Sequence, residues 1–293
     1  MVLAPEKIHS GLGLPPPVSP PSRRRRRHYV LIALGTAMGL VLAVAAFGTV
    51  RYELRSHPGA KTIGSAVNGF RRSGSSAADS PYAVPAAGVY ALRGQGNEKI
   101  SFPPNSQQDG AVMPVTVTHL VSGCWRWRVD FNVAHWEDYV FCPSASGLLQ
   151  PSNRIYQAWD FGAMSVTNLA TITCPATTLV LPTKPQPGMV LSWSCPESNT
   201  SSGSGVSSTT ARIVGPETLS IGGVVVPTVE VQQTATVSGT QTGSATSDWW
   251  FATSTGLPVR MDRHIVVHSP SPIGTVTYTE DGSGQLTSLT PRT

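Results

Sequence analysis

The sequence predicts a mostly β protein, in which one N-terminal transmembrane helix carries a large curved antiparallel sheet, half-barrel or barrel-like, with little helix. Three observations predict it. Five consecutive arginines, Arg23 to Arg27, run into the uncharged segment Tyr29–Val50; four cysteines all fall beyond that segment; and the remainder is written in short runs that alternate apolar and polar residues. A membrane-crossing helix needs about 20 mainly apolar residues, which Tyr29–Val50 supplies, and basic residues stay on the cytoplasmic side. The N-terminus is therefore expected inside the plasma membrane of a single-pass protein and the C-terminal domain outside. The rival reading is a cleaved signal peptide ending near Ala43-Val44-Ala45, but the apolar run continues past that point to Val50.

Taken in order, residues 1–28 are proline-rich and then polybasic and read as a disordered cytoplasmic tail; 29–50 is the membrane helix; 51–80, rich in Gly, Ser, Ala and Arg, reads as a flexible stalk; and 81–293 is the extracytoplasmic β domain. The arginines flank the membrane, whereas residues 76–293 hold ten basic and fourteen acidic side chains. A mildly acidic domain has no electrostatic footprint for nucleic acid, so that class of partner is excluded.

The clearest strand is Cys124–Val133, where Trp125, Trp127, Val129, Phe131 and Val133 share one face and Arg126, Arg128, Asp130 and Asn132 the other. Val259, Met261, Ile265 and Val267 alternate with Arg260, Asp262, His264 and His268, and Val276 and Tyr278 with Thr275, Thr277 and Thr279. Ile221-Gly222-Gly223-Val224 predicts a tight hairpin, since a primed turn needs positive φ. Ten or more strands are expected; Leu148–Trp159 is the one stretch with a helical tendency, and the Ser/Thr/Gly run from Glu197 to Thr210 reads as a mobile loop. An even count of cysteines without a C-x-x-C pair points to disulfides in an oxidising compartment; four cysteines allow three connectivities, of which nearest-neighbour pairing, Cys124 with Cys142 and Cys174 with Cys195, is the expected one.

No nucleophile elbow, zinc-binding helix motif, phosphate loop or dinucleotide fingerprint occurs, and no cofactor or metal is expected. His264 and His268 lie four apart on a strand, about 13 Å, too far to share an ion. His135-Trp136-Glu137-Asp138 is the best acid/base candidate, but successive strand residues face opposite ways, so its imidazole and two carboxyls cannot all converge. The domain is read as non-catalytic.

Asp248-Trp249-Trp250-Phe251 followed by Thr255-Gly256-Leu257-Pro258-Val259-Arg260 resembles the tryptophan strand, turn and T-G-L-P-x-R return strand of the LolA-like lipoprotein-carrier superfamily, over roughly residues 217–280. The resemblance implies a curved antiparallel half-barrel whose concave face receives an acyl chain or other apolar ligand. Trp125, Trp127, Phe131 and Trp250 are the expected ligand-binding side chains. Three function classes follow: an envelope interaction or sensory module that touches another envelope protein, a carrier of a lipid or other apolar ligand, and, far behind, an unrecognised hydrolase. The remaining expected partner is the bilayer, through Tyr29–Val50.

Overall fold

The computed structural model describes residues 57–74, 83–162, 164–272 and 274–293. The expected tail and membrane helix lie outside them. Among the described residues no helix is long and apolar enough to cross a membrane.

Among the described residues one helix, α1 (Ile63–Ser73), precedes fourteen strands: β1 (Gly88–Ser101), β2 (Pro104–Gln108), β3 (Val112–His119), β4 (Trp125–Asp130), β5 (His135–Ser144), β6 (Gly147–Asp160), β7 (Ser165–Thr173), β8 (Leu179–Pro182), β9 (Val190–Asn199), β10 (Gly203–Ile221), β11 (Val224–Gly239), β12 (Thr242–Ala252), β13 (Pro258–Ser271) and β14 (Gly274–Leu286). Twelve of them form an antiparallel ring in the order β1, β3, β4, β5, β6, β7, β9, β10, β11, β12, β13, β14, closed by pairing of β14 with β1; β2 and β8 flank β1 and β6. The sheet is a closed barrel, which leaves no edge strand in the ring.

Hairpins dominate because the turn chemistry is local. Gly222 and Gly223, with φ of 60° and 83°, turn β10 into β11 between the paired residues Ile221 and Val224. The Trp-rich strand and its T-G-L-P return are β12 and β13, joined by a turn in which Gly256 has φ of 70°.

Both expected disulfides are present, Cys124–Cys142 and Cys174–Cys195. The second lies where it is needed most. The β7–β9 seam has three registered pairs, Ala170 with Asn199 to Ile172 with Glu197, against five in β3–β4, and Cys174–Cys195 prolongs that register by one inward step. Disulfides persist in oxidising compartments, so the domain is extracytoplasmic.

Four local expectations are corrected. Leu148–Trp159 is strand, not helix: it lies within β6, whose two edges are taken by β5 and by β7 and β8. The run Glu197–Thr210 is not a loop but the β9–β10 hairpin, its Ser and Thr side chains half-exposed on a paired ribbon. Part of the expected stalk is α1, capped by the Thr62 hydroxyl, which accepts from the Ser65 N–H; Ile63, Val67 and Phe70 fall at helical spacing beside buried Ala66. Residues flanking that helix are tied to the barrel, Lys61 by an ion pair of 3.1 Å to Asp130 and Gly59 by its carbonyl to the Val133 N–H. Finally, the Cys124–Val133 alternation ends early: Val133 is exposed, and on the face expected to be wet Asp130 and Asn132 are buried.

The inward residues of four neighbouring or facing strands succeed one another in the same order. Along β13 they run Met261, Arg263, Ile265, Val267; along β14, Leu286, Gly284, Gly282, Glu280, Tyr278; along β1, Leu92, Gly94, Gly96, Glu98, Ile100; along β5, Phe141, Tyr139, Glu137, His135. The lumen is thus filled at one end by an apolar core, crossed by a belt of charge, and lined again by apolar residues beyond it. Trp125, Trp127 and Phe141 are at most 1% exposed in that core, and Trp127 meets the rings of Tyr139 and Trp249 edge-on at 5.9 and 5.7 Å.

Trp127→Ala should therefore cost about 3–5 kcal/mol, as expected for a large core aromatic. Urea unfolding followed by circular dichroism measures it; a loss under about 1 kcal/mol would show that this end of the lumen is not packed.

Candidate functional site: a charged belt beneath a luminal cavity

At the centre of the belt is Arg263, its side chain 3% exposed. Its Nη1 donates to Glu137 Oε2 at 2.9 Å, its Nη2 contacts Glu280 Oε1, and its guanidinium carbon lies 4.0 Å from the Phe131 ring centre. His135, fully buried, places Nδ1 2.8 Å from Glu98 Oε1 and turns Nε2 towards Glu137 Oε1 at 3.6 Å. Hydroxyls complete the belt: Tyr139 donates to Glu137 at 2.6 Å, and Tyr278 donates to Glu280 at 2.6 Å with Glu98 at 3.2 Å.

Strand register brings these groups together. Glu98 and Glu280 are directly paired across the β1–β14 closure, a like-charge juxtaposition that is destabilising without cations between. Ile265 pairs with Glu280, which puts Arg263 one inward step away, opposite Gly282. That space exists because Gly96 faces Gly282 and Gly94 faces Gly284 on the same wall. A Cβ on Gly96 would lie 1.9 Å from Asp109 Oδ2, and one on Gly282 would lie 3.5 Å from Arg263 Nε.

Burial and charge set the protonation states. Burial by itself would lower the His135 pKa, but the Glu98 and Glu137 carboxyls more than reverse it, raising it to about 9. Burial would raise Glu137, yet Arg263 and His135 hold it below the ordinary carboxylate range. Burial, reinforced by Glu137, pushes the Tyr139 phenol well up, and burial with Glu98 does the same to Tyr278. Both remain neutral donors. Asp109 is the outlier: its two oxygens have no hydrogen-bond partner, and burial pushes it up to about 6.

Two groups of potential metal ligands occur here, Glu98, Asp109 and His135, and His135, Glu137 and Glu280, each with ligand atoms within 4.8 Å. Arg263 already bridges Glu137 and Glu280, and Glu98 already holds His135, so these ligand atoms are engaged in an internal ion network.

Beyond the belt the lumen opens into a cavity of about 650 Å³. Ile155, Trp159, Val166, Ala170, Ile265 and Val267 wall it, and Glu137, Glu280 and Tyr278 reach its floor. Phe102 and Met164, both more than half exposed, stand at its rim. A second space of about 210 Å³ shares Glu137, Ile155, Ile265 and Val267 with it and reaches Arg263 and the core aromatics.

Of the four aromatics expected to bind ligand, none lines the larger cavity. Trp125 and Trp127 lie in the sealed core. Trp250 faces the other way, its indole N–H donating to Glu217 at 2.5 Å and its ring under Arg260 at 4.1 Å. Phe131 alone touches the belt, covering Arg263 and His135. Within His135-Trp136-Glu137-Asp138, His135 and Glu137 do share the inner face, while Asp138 is ion-paired outside with Arg154 and Arg126. His264 and His268 are exposed on the outer face, beside Asp281 and Thr277. The residues missed were Arg263 and Glu280, each an ionic residue standing in the inward parity of an otherwise apolar alternation, and the glycine pairs opposite them.

No protein-family model matches the chain, and no curated protein matches it. Among solved structures, it is similar to the hypothetical lipoprotein YmcC from Escherichia coli, at 14% identity and a TM-score of 0.31 over 70% of this chain and 85% of that one. It is also similar to a protein of Parabacteroides distasonis described as a lipoprotein, at 10% identity and a TM-score of 0.29 over 70% of this chain and 96% of the other.

Asp109→Asn should stabilise the protein above pH 6. The folded state holds the Asp109 proton up to about 6, against 3.8 when free. Wild type therefore loses stability as pH rises from 3.8 to 6, and the variant does not. The gain should reach on the order of 2 to 3 kcal/mol at pH 7.5 and vanish below pH 4. Urea midpoints at the two pH values check this; an Asp109→Asn protein less stable than wild type at pH 7.5 would contradict the unpartnered state of the carboxyl.

Proposed function

We propose that the domain is a non-catalytic binding module of the cell envelope, holding an apolar or amphiphilic ligand in the barrel lumen. The observation that carries this is the cavity of about 650 Å³ walled by Ile155, Trp159, Val166, Ile265 and Val267 above a fixed polar floor. Sites for small ligands are typically clefts of about 300–1,000 Å³ with mostly apolar walls and a few placed polar groups. Each buried methylene contributes about 0.8 kcal/mol, so a dozen would offset the cost of association.

The resemblance of Asp248–Arg260 to LolA-like carriers supports the same reading, with the ligand moved from Trp125, Trp127 and Trp250 to the opposite end of the lumen. In this proposal Tyr29–Val50 anchors the chain in the plasma membrane, keeping the cavity within reach of envelope lipid. The alternative is an interaction or sensory ectodomain with an envelope protein as partner, for which exposed Phe102 and Met164 would be the contact rather than a doorway.

Uptake of an uncharged polarity-sensitive dye separates the two. The folded protein should bind it at one equivalent, and Ile265→Trp, which fills the cavity from β13, should abolish binding while the circular dichroism spectrum is retained. Absence of uptake by wild type would remove the binding module and leave the interaction ectodomain.

A further inference from the structure

Resting on the binding reading above, we infer that the lumen selects amphiphiles with a cationic head, such as a protonated long-chain amine, over fatty acids. Among the described residues the cavity has three carboxyl side chains on its wall, Glu137, Glu197 and Glu280, and no lysine, arginine or histidine. Glu137 and Glu280 sit at its depth, 2% and 1% exposed, and Glu197 stands higher on β9, half-buried with its Oε1 accepting from Asn199 at 2.7 Å.

The cations of the belt do not cancel this bias. Arg263 borders the smaller space, but its terminal nitrogens face Glu137 and Glu280 and Phe131 covers its plane. His135 lies behind Glu98 and Glu137 with no surface on the larger cavity. Glu98, Glu137 and Glu280 outnumber Arg263 and protonated His135 by one formal negative charge, and Glu197 adds another nearer the mouth. In a low-dielectric lumen, an ammonium group brought in by an apolar chain gains from that excess and can donate to the carboxylates and to the Tyr278 oxygen. A carboxylate head meets like charge and only neutral donors on the cavity wall, phenol, indole, amide or hydroxyl.

Octylamine, octanol and octanoate share a chain and differ in head charge. Equilibrium dialysis at pH 7.5 against the full chain in zwitterionic nanodiscs, with empty nanodiscs subtracted, measures the three affinities. Octylamine should bind at least tenfold more tightly than octanoate, with octanol between. Glu197→Gln, a residue outside the ion network, should narrow that ratio at least threefold, and Ile265→Trp should abolish all three. Equal affinities, or tighter octanoate, still lost in Ile265→Trp, would overturn the charge selection and leave the cavity reading standing. An undiminished ratio in Glu197→Gln would also count against charge selection by this wall. Failure of all three ligands to bind wild type would overturn both readings.

Discussion

Arg263 is the constraint on which the rest of the structure depends. A guanidinium removed from water carries a desolvation penalty of several kcal/mol, and so does each of the carboxyls around it; the arrangement is tolerable because the terminal nitrogens of Arg263 meet Glu137 and Glu280 together, although its Nε has no hydrogen-bond partner. Glu137 and Glu280 take the two terminal nitrogens, Phe131 covers the plane, Tyr139 donates to the same Glu137 oxygen as the arginine, and Tyr278 donates to the other oxygen of Glu280. Those groups come from β5, from the neighbouring strands β13 and β14, and from the β4–β5 connection. The belt can therefore exist only in the closed barrel, and the like-charged pair Glu98–Glu280 at the closure needs the belt's cations.

That dependence divides the lumen. Below the belt, aromatic rings pack against one another as in any core. Above it, Ile155, Trp159, Val166, Ala170, Ile265 and Val267 line a void, with Phe102, Phe161, Met164 and polar side chains also on its wall. The Gly94–Gly284 and Gly96–Gly282 pairs do for the wall what the belt does for the interior: a Cβ at Gly94, Gly96 or Gly284 would approach Met113, Asp109 or Leu92 within 3 Å, whereas one at Gly282 would only touch Arg263. The short β7–β9 seam borders the same void, and Cys174–Cys195 holds it shut where hydrogen bonding stops.

Much of this architecture is legible in the sequence because strand alternation, turn glycines and paired cysteines are local signals. The Gly222-Gly223 turn and the oxidised state of the cysteines follow from residues side by side, whereas the choice of Cys124–Cys142 and Cys174–Cys195 among three possible pairings is made by the strand register. Leu148–Trp159 and Glu197–Thr210 misled because one is long and only weakly alternating and the other is rich in serine and glycine; pairing on both edges decides each, and pairing is not local. Helix α1 was signalled by Ile63, Val67 and Phe70, three apolar residues too sparse to stand out among glycine, serine and arginine. The site was the least legible part. His135 and Glu137 share a parity, but their partners lie more than a hundred residues away, and an arginine among apolar positions reads as an interruption until the barrel closes around it. Trp125 and Trp127 drew attention as aromatics, and aromatics are what a core buries first.

The most direct test of this account is the stability of Arg263→Met alone and in combination with Glu137→Gln and Glu280→Gln, measured by urea unfolding at pH 7.5. Removing the arginine alone leaves two carboxylates buried without their cation and should cost about 3–5 kcal/mol, whereas the triple variant should regain most of that loss. A cost below about 1 kcal/mol for Arg263→Met, or a triple variant no more stable than the single one, would contradict the claim that the charged belt organises the barrel.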